Sequence, residues 1–265
     1  MMKTEIINND MPSVKEVCKF LSEYAAELLG CGATCIRIEK NVARMADKWQ
    51  TKVQMTIMPR HVHLTVWNMD GQHSYSTIEC VRHRNISFDV NSRLSRLSWA
   101  VADGRTGFTE AVEELKRQTE VKPYNEWLVL LLVSLANASF CRLFGGDITA
   151  MLIVFMCTLF GYRLKQVLLA YKTDVRFVFL CAAFFSSVIG TAGYLPGIPT
   201  HTPSIALGTS VLYLIPGIPY INSVNDLIDG HYIMAFCRLA DAAILTGCLS
   251  IGFCGGQILM GIEWF

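Results

Sequence analysis

The chain has 265 residues, 52% of them hydrophobic, and its 23 basic and 22 acidic side chains leave a formal net charge of +1. This balance argues against a general nucleic-acid-binding protein, which presents a strongly basic surface. The cysteines do not indicate a disulfide framework, because several lie in apolar runs, where cysteine behaves as a small hydrophobic residue. The lack of a CxxC pair argues against zinc or thioredoxin-type chemistry.

Basic residues are concentrated at the start of the chain. Seventeen of the 23 lie in residues 1–125, and six lie in the remainder. We therefore predict a small cytosolic α/β domain over residues 1–122, followed by an α-helical polytopic membrane domain over residues 123–265. Residues 1–20 carry charged side chains and no apolar run, so no signal peptide is expected there.

The first domain shows both helical and strand patterns. Residues 14–29 place apolar side chains on one stripe, which predicts a helix. Alternating apolar residues predict strands, and a turn at residues 68–71 predicts a hairpin. The predicted elements are helices at 14–29, 40–48, 90–101 and 109–119, and strands at 33–38, 52–58, 61–67 and 73–79. Together they indicate a mostly antiparallel sheet in a domain large enough to bury a core.

Histidines in this domain do not predict a metal site. His61 and His63 share the outer face of one predicted strand, with His73 and His83 near it. No Cys, Asp or Glu set completes a metal cage, so we expect surface residues and no bound metal. No nucleophile-elbow or phosphate-loop pattern occurs, and no cofactor is expected. A membrane-bound hydrolase with its active site in the α/β domain is a minor alternative.

The second half contains five apolar segments near the length of about 17–25 residues that a membrane helix needs. They are residues 127–144, 148–162, 175–195, 204–221 and 232–262. The loop expected after the second segment carries four basic residues: Arg163, Lys165, Lys172 and Arg176. The loop after the third carries none. The positive-inside rule then places the first of these loops and the N-terminal domain in the cytosol, and Phe265 outside.

A break between the fourth and fifth apolar segments is the feature that most suggests function. Pro216, Gly217 and Pro219 interrupt the helix, which frees backbone groups that can hold a solute. Polar groups at a membrane helix end are costly, so their presence suggests a role in function. We therefore predict that this break and the polar residues after it line a solute path. Those polar residues are Asn222, Asn225, Asp226, Arg238 and Asp241.

Arg238 is the expected partner of a substrate carboxylate, since a guanidinium binds a carboxylate through two hydrogen bonds. Asp241 lies three residues later on the same helical face and is expected to neutralise Arg238 or to carry a coupled proton. The alternative is that Arg238 and Asp241 form a structural ion pair. Asn222 and Asp226 would then be ordinary turn residues.

Three stretches of the chain resemble one known family. The first is the run Gly30–Glu39, and the second is the turn Phe144–Asp147 after the first span. The third, from Pro216 to Arg238, is the most specific. Over residues 14–260 the chain resembles the larger, five-span member of the threonine/serine exporter family. The resemblance adds four secondary site candidates: Arg37, Gly145, Gly146 and Asp147.

This resemblance implies a secondary transporter, and not an enzyme, that exports a small polar metabolite across the bacterial inner membrane on the proton gradient. Threonine, serine and a dicarboxylate such as succinate are all implied substrates. Fused members of the family carry a second, smaller membrane module. We therefore expect a separate small membrane subunit here, with a homo-oligomer as another arrangement. The main alternative is a membrane-anchored regulatory or scaffold subunit whose partner carries out transport.

Some polar and small residues of the second half have structural explanations. Asp147 is expected to cap the second span as an N-cap residue does. Asn137, inside the first span, is expected to bond a neighbouring helix. Gly252 and Gly256 are spaced for close helix packing, which is expected within the same chain.

Overall fold

The computed structural model describes residues 12–82, 86–119 and 124–262. Over these residues the protein is mostly helical, with one small three-stranded sheet. The predicted domain boundary at residues 122 and 123, His83 and Phe265 lie outside the described residues.

The described residues divide into two compact units, and the division does not follow the sequence order. The first unit takes the residues up to 119 together with Ile221–Arg238. The second takes the residues from 124 to Tyr220 together with those from Leu239 onward. The first unit therefore contains a segment that the sequence analysis assigned to the membrane domain.

Four helices and the sheet make up most of the first unit. They are α1 (Val14–Gly30), α2 (Cys35–Lys48), β1 (Thr51–Ile57), β2 (His61–Asn68), β3 (Ser74–Cys80), α3 (Phe88–Ala102) and α4 (Phe108–Thr119). A capping box starts α1, in which Ser13 Oγ accepts from Glu16 N at 3.3 Å and Glu16 Oε2 accepts from Ser13 N at 2.9 Å. The strands are antiparallel in the order β1-β2-β3, as the alternating pattern predicted.

The core of the first unit lies between the helices and one face of the sheet. Val62, Leu64 and Val66 of β2 are fully buried in this core, and their neighbours in sequence point outward. Met234, which comes from the later segment 221–238, is 5% exposed and belongs to the same core.

The predicted strand at residues 33–38 is wrong, because α2 begins at Cys35. Cys35, Ile38, Val42 and Met45 are all buried, and their spacing of three and four residues is that of one helical face. The alternation over residues 33–38 was too short to distinguish a strand from the first turn of this longer helix.

The second unit consists of helices. They are α5 (Glu126–Leu143), α6 (Ile148–Ala170), α7 (Val175–Gly190) and α8 (Pro203–Thr209), with the start of α9 (Gly217–Ile228) and most of α10 (Tyr232–Leu259). Short 3-10 helices occur at Thr191–Tyr194 and Leu212–Leu214.

Four of these helical segments are long and apolar enough to cross a membrane. They are Glu126–Leu143, Ile148–Ala170, Val175–Tyr194 and Tyr232–Leu259. A fifth is present only if the pair Pro203–Leu214 and Gly217–Ile228, bent by 63°, counts as one span. The predicted fourth span, residues 204–221, is therefore not a continuous helix. Pro216 explains part of the break, because proline has no N–H for the helix and disfavours helical backbone at the residue before it.

The second span also differs from its prediction, because α6 continues to Ala170 where the sequence analysis ended it at residue 162. Arg163 and Lys165 therefore lie in a helix, and not in a loop. Arg163 Nη1 is 3.2 Å from Glu126 Oε2 at the start of α5.

The expected packing role of Gly252 and Gly256 is confirmed. A Cβ atom on Gly252 would lie 2.2 Å from the carbonyl oxygen of Leu180 in α7, and one on Gly256 would lie 2.8 Å from that of Phe184. The two glycines thus let α10 approach the α7 backbone within one chain.

Candidate functional site

The α9–α10 hairpin contacts the connection between α1 and α2 within the first unit. Asn222 Nδ2 donates to the carbonyl oxygen of Gly32 at 3.0 Å. Arg238 Nη2 donates to the carbonyl oxygen of Ala33 at 2.7 Å. Two side chains of the predicted solute path are therefore bonded to consecutive backbone carbonyls, which lie 190 and 205 residues earlier in the sequence.

Asp226 occupies the N-terminus of α2. Its Oδ1 accepts a hydrogen bond from Cys35 N at 2.9 Å, and the residue is 0% exposed. Thr34, the N-cap residue of α2, forms no capping bond with its own side chain. Asp226 thus satisfies an N–H group that the helix leaves unbonded, and its negative charge lies at the positive end of the helix dipole.

Arg238 and Asp226 also form a buried ion pair. Arg238 Nη1 lies 2.8 Å from Asp226 Oδ2, and the arginine side chain is 13% exposed. The approach is close, but neither of these two atoms has a well-aligned hydrogen bond to any described residue. The two charges therefore stabilise each other through proximity alone, and this stabilisation is weaker than that of a bidentate pair.

The hairpin that carries these residues is closed by a tight turn. Gly230 has a positive φ of 84°, a conformation that glycine adopts without strain. His231 N donates to the carbonyl oxygen of Asp226 at 2.8 Å, and the buried Ser223 Oγ donates to that of Ala235 at 2.7 Å. These bonds fix the position of Asp226 relative to the first turns of α10.

Cys35 is held as a neutral thiol at this site. Burial raises the pKa of Cys35 to about 12, and the nearby negative charge of Asp226 acts in the same direction. The thiol is therefore not a thiolate nucleophile at neutral pH.

The remaining predicted path residues are more dispersed. Asn225 and Asp241 are exposed, and the ion-pair partner of Arg238 is Asp226 rather than the expected Asp241. Pro216, Gly217 and Pro219 lie at the start of α9, in the second unit.

Arg37, a secondary candidate, is not part of this cluster. It is an exposed residue of α2 whose Nη1 donates to Asn91 Oδ1 on α3 at 3.1 Å. The side chain therefore links two helices of the first unit.

The Gly145-Gly146-Asp147 turn caps α6, as expected for Asp147. Its Oδ1 accepts from Ala150 N and its Oδ2 from His201 N, both at 2.7 Å. These two bonds hold the pKa of Asp147 below its ordinary value. A side chain at Gly146 would collide with Cys141, and Gly145 has a φ of 90°. The turn is thus explained by local structure.

Asn137 bonds neighbouring segments, also as expected. Its Nδ2 donates to Thr158 Oγ1 on α6 at 2.6 Å and to the carbonyl oxygen of Thr209 at 3.1 Å. Both partners are buried.

Comparison with known proteins decides the family. The sequence profile of the threonine/serine exporter family, ThrE, matches residues 19–260. The chain belongs to the threonine/serine exporter family. Its apolar helices and its family make it a multi-pass membrane protein.

Curated relatives of this exporter family member carry two kinds of name. The chain is 34% identical over 56% of its length to "Probable succinate transporter subunit YjjP" of Escherichia coli, and 32% identical over the same share to the Klebsiella aerogenes protein of that name. It is 25% identical over 65% of its length to "Probable threonine/serine exporter" of Mycobacterium tuberculosis. The matched regions span 59%, 58% and 32% of these relatives, less than two thirds in each case. No solved structure matches the chain.

The sequence analysis did not identify the backbone groups that bond the site's side chains in this exporter family member. Gly32, Ala33 and Cys35 take part through main-chain atoms, which no residue type reveals. The run Gly30–Glu39 was noticed only as a family resemblance. No local signal reveals the site, because threonine is a common N-cap residue and only the structure shows that Thr34 forms no capping bond of its own.

Proposed function

We propose that the chain is a subunit of a secondary, proton-coupled exporter in the bacterial inner membrane. Its substrates would be threonine and serine or a dicarboxylate such as succinate. The family membership and the names of the relatives support this function. In this proposal the chain crosses the membrane five times, with the first unit in the cytosol and the C-terminus outside. A separate small membrane subunit completes the transporter, as the word "subunit" in the name YjjP suggests.

The observation that carries the proposal is the imperfect buried pair of Arg238 and Asp226. The guanidinium lies beside a carboxylate without the aligned hydrogen bonds that the two groups can form. A substrate carboxylate that approached Arg238 in the bidentate geometry would bind better than Asp226 does. We therefore propose that the substrate exchanges with Asp226 on Arg238.

The exchange also has a cost that makes it reversible. When Asp226 loses Arg238, its carboxylate is left buried with a single hydrogen bond from Cys35 N. An isolated buried charge is costly, so release of the substrate restores the pair with Arg238.

The other predicted path residues keep supporting roles in this proposal. Asn222 and Asn225 can bond the ammonium or hydroxyl group of an amino-acid substrate. Asp241 is exposed and can receive the coupled proton. The backbone freed at Pro216, Gly217 and Pro219 would line the path beyond these side chains.

Efflux measurements test the proposal. Cells would express the chain with and without a neighbouring small membrane protein, and export of labelled serine, threonine and succinate would be followed. Arg238→Ala should reduce efflux by about tenfold or more, the effect of losing one charge-assisted contact. Asp229→Asn, which removes an exposed carboxylate from the same hairpin, is the matched control and should leave efflux unchanged. If Arg238→Ala and Asp226→Asn both export like the unmodified protein at equal expression, the proposed path is wrong.

A second candidate function is a regulatory or scaffold subunit. The observation that favours it is that Asn222, Asp226 and Arg238 each bond the backbone between Gly32 and Cys35, which gives all three a structural role. A cysteine introduced at the exposed Asn225 separates the two functions. Protection of this cysteine from a water-soluble maleimide by substrate supports transport through the chain, and indifference to substrate supports the scaffold.

A further inference from the structure

The third strand of the first unit has a free edge. The sheet order is β1-β2-β3, so β3 pairs with β2 on one side only. Asn68 N donates to the carbonyl oxygen of His73 at 2.9 Å, which places the odd-numbered residues of β3 in the hydrogen bonds to β2. The main-chain N–H and C=O groups of the even-numbered residues therefore point away from the sheet. These residues are Ser74, Ser76, Ile78 and Cys80.

This edge is open to another strand. All four even-numbered residues are exposed, and Ile78 is 62% exposed. None of the described residues outside the sheet bonds their main-chain groups. Natural edge strands are commonly protected from pairing by charged residues, proline or a bulge, whereas Glu79 is the only charged residue of β3. An unprotected edge of this kind can accept a further strand.

The opposite edge of the sheet is less accessible. Met58 N donates to the carbonyl oxygen of His61 at 3.0 Å, so the odd-numbered residues of β1 carry its outward-pointing groups. Thr51 and Ile57 are buried, and the two odd-numbered residues between them are half-buried. The free edge of β3 is therefore the one available for pairing.

The sequence of β3 is complementary to itself in one antiparallel register. A partner strand must place its own outward-pointing residues opposite those of β3, and a two-fold axis at Thr77 does so over all 7 residues. Ser76 then lies opposite Ile78 of the second copy, and Ser74 lies opposite Cys80 of that copy. Each of these residues donates and accepts one main-chain hydrogen bond across the axis. Moving the axis to Ser76 or Ile78 shortens the overlap.

The charges beside the edge fit the same register. Tyr75 lies opposite Glu79 of the second copy in this pairing. Lys15 on α1 is exposed, and its Nζ lies 5.8 Å from the centroid of the Tyr75 ring. Neither Lys15 nor Glu79 forms an ion pair within the described residues. Glu79 of each copy therefore comes next to the ring that Lys15 of the other copy covers, and opposite charges meet twice by symmetry.

We propose that two copies of the chain dimerise through the free edge of β3 and join their two three-stranded sheets into one. The partner is a second copy because a single two-fold contact pairs both free edges and brings both sets of opposite charges together. This interface does not depend on the proposed export function.

Cysteine cross-linking of the full-length chain in membranes tests the interface. Ser74→Cys places a thiol opposite the native, exposed Cys80 of a second copy, with Cα atoms about 5.5 Å apart, which is within disulfide range. Within one chain the two positions lie at opposite ends of β3, about 20 Å apart, so they cannot bond to each other. Mild oxidation should therefore convert the Ser74→Cys chain to a dimer on a non-reducing gel. The unmodified chain and Thr56→Cys, an exposed position on β1, are the controls and should stay monomeric.

Two further changes, each combined with Ser74→Cys, test the contacts themselves. Ser76→Pro removes an N–H that does not bond β2, so it should leave the thermal unfolding midpoint unchanged and lower the dimer yield by about tenfold. Glu79→Lys should lower the yield by about fivefold, and adding Lys15→Glu should restore it.

Three results would overturn the interface. The first is no dimer from Ser74→Cys above the controls. The second is a dimer from the unmodified chain through Cys80, because the register places the two Cys80 thiols at opposite ends of the paired strands. The third is a dimer yield that Ser76→Pro does not change. If Ser76→Pro lowers the unfolding midpoint, Glu79→Lys and its restoration by Lys15→Glu decide the result.

Discussion

The substitution Asp226→Asn isolates the charge in the buried pair. Asparagine keeps the side-chain shape and an oxygen that can accept from Cys35 N, but it leaves the Arg238 charge without a partner. Removing one partner of a buried ion pair costs about 3–5 kcal/mol, and the 13% exposure of Arg238 places this case at the low end, about 3 kcal/mol. The cost should appear first at the start of α2, where Asp226 acts as the cap.

Hydrogen–deuterium exchange of the full-length protein measures this local effect. Peptides that cover the first turns of α2 report on the amide of Ile38, which donates to the Thr34 carbonyl oxygen at 3.2 Å. A loss of about 3 kcal/mol in the free energy of local opening corresponds to roughly 100-fold faster exchange. Asp229→Asn, an exposed substitution with the same chemical change, should cost less than about 0.5 kcal/mol and alter exchange by no more than about twofold. Equal exchange in the two variants would refute the role assigned to the pair.

Two further predictions concern a thiol and a helix contact. The pKa of Cys35 is raised from 9.0 to about 12, so its thiol should resist maleimide at pH 7–8 while the exposed Cys80 reacts. Because the folded protein favours the protonated thiol, the contribution of Cys35 to stability should be complete below about pH 9 and lost as the pH rises towards 12. Thermal unfolding over this pH range measures the loss. Rapid labelling of Cys35 in the folded protein would contradict this. Gly252→Ala places a Cβ against the Leu180 carbonyl oxygen and should destabilise the protein by about 1–3 kcal/mol. At Gly247 the added Cβ would have no atom within 4 Å, so Gly247→Ala should stabilise the protein by about 0.5–1 kcal/mol. Shifts of the same sign in the thermal unfolding midpoint would count against the packing assigned to Gly252.

Local sequence patterns predicted the helices and strands whose formation depends on neighbouring residues. The strands β1, β2 and β3 follow from alternation, and α1 from its apolar stripe. The start of α2 did not follow, because its cap is Asp226, which comes from a distant part of the sequence. No window of the sequence around Thr34 contains that information.

The candidate site was only partly predicted, because some of its contacts join distant parts of the sequence. The sequence singled out Asn222, Asp226 and Arg238 as one group, because polar residues near a proline break are unusual, and all three bond the backbone between Gly32 and Cys35. It assigned Asp241 as the partner of Arg238 from helical spacing, whereas Asp226 reaches Arg238 across the hairpin turn. Tertiary proximity of this kind depends on the turn at Gly230, which a spacing rule does not describe.

The inclusion of Ile221–Arg238 in the first unit has a consequence for biosynthesis. The ribosome adds these residues about a hundred positions after Thr119, so at ~5–20 residues per second they follow by roughly 5–20 s. During that delay the nascent first unit lacks Met234 in its core and Asp226 on α2. A fragment truncated at residue 122 would remain permanently in this incomplete state. Synthesis of all the intervening apolar segments therefore precedes the final step in folding of the part that is synthesised first.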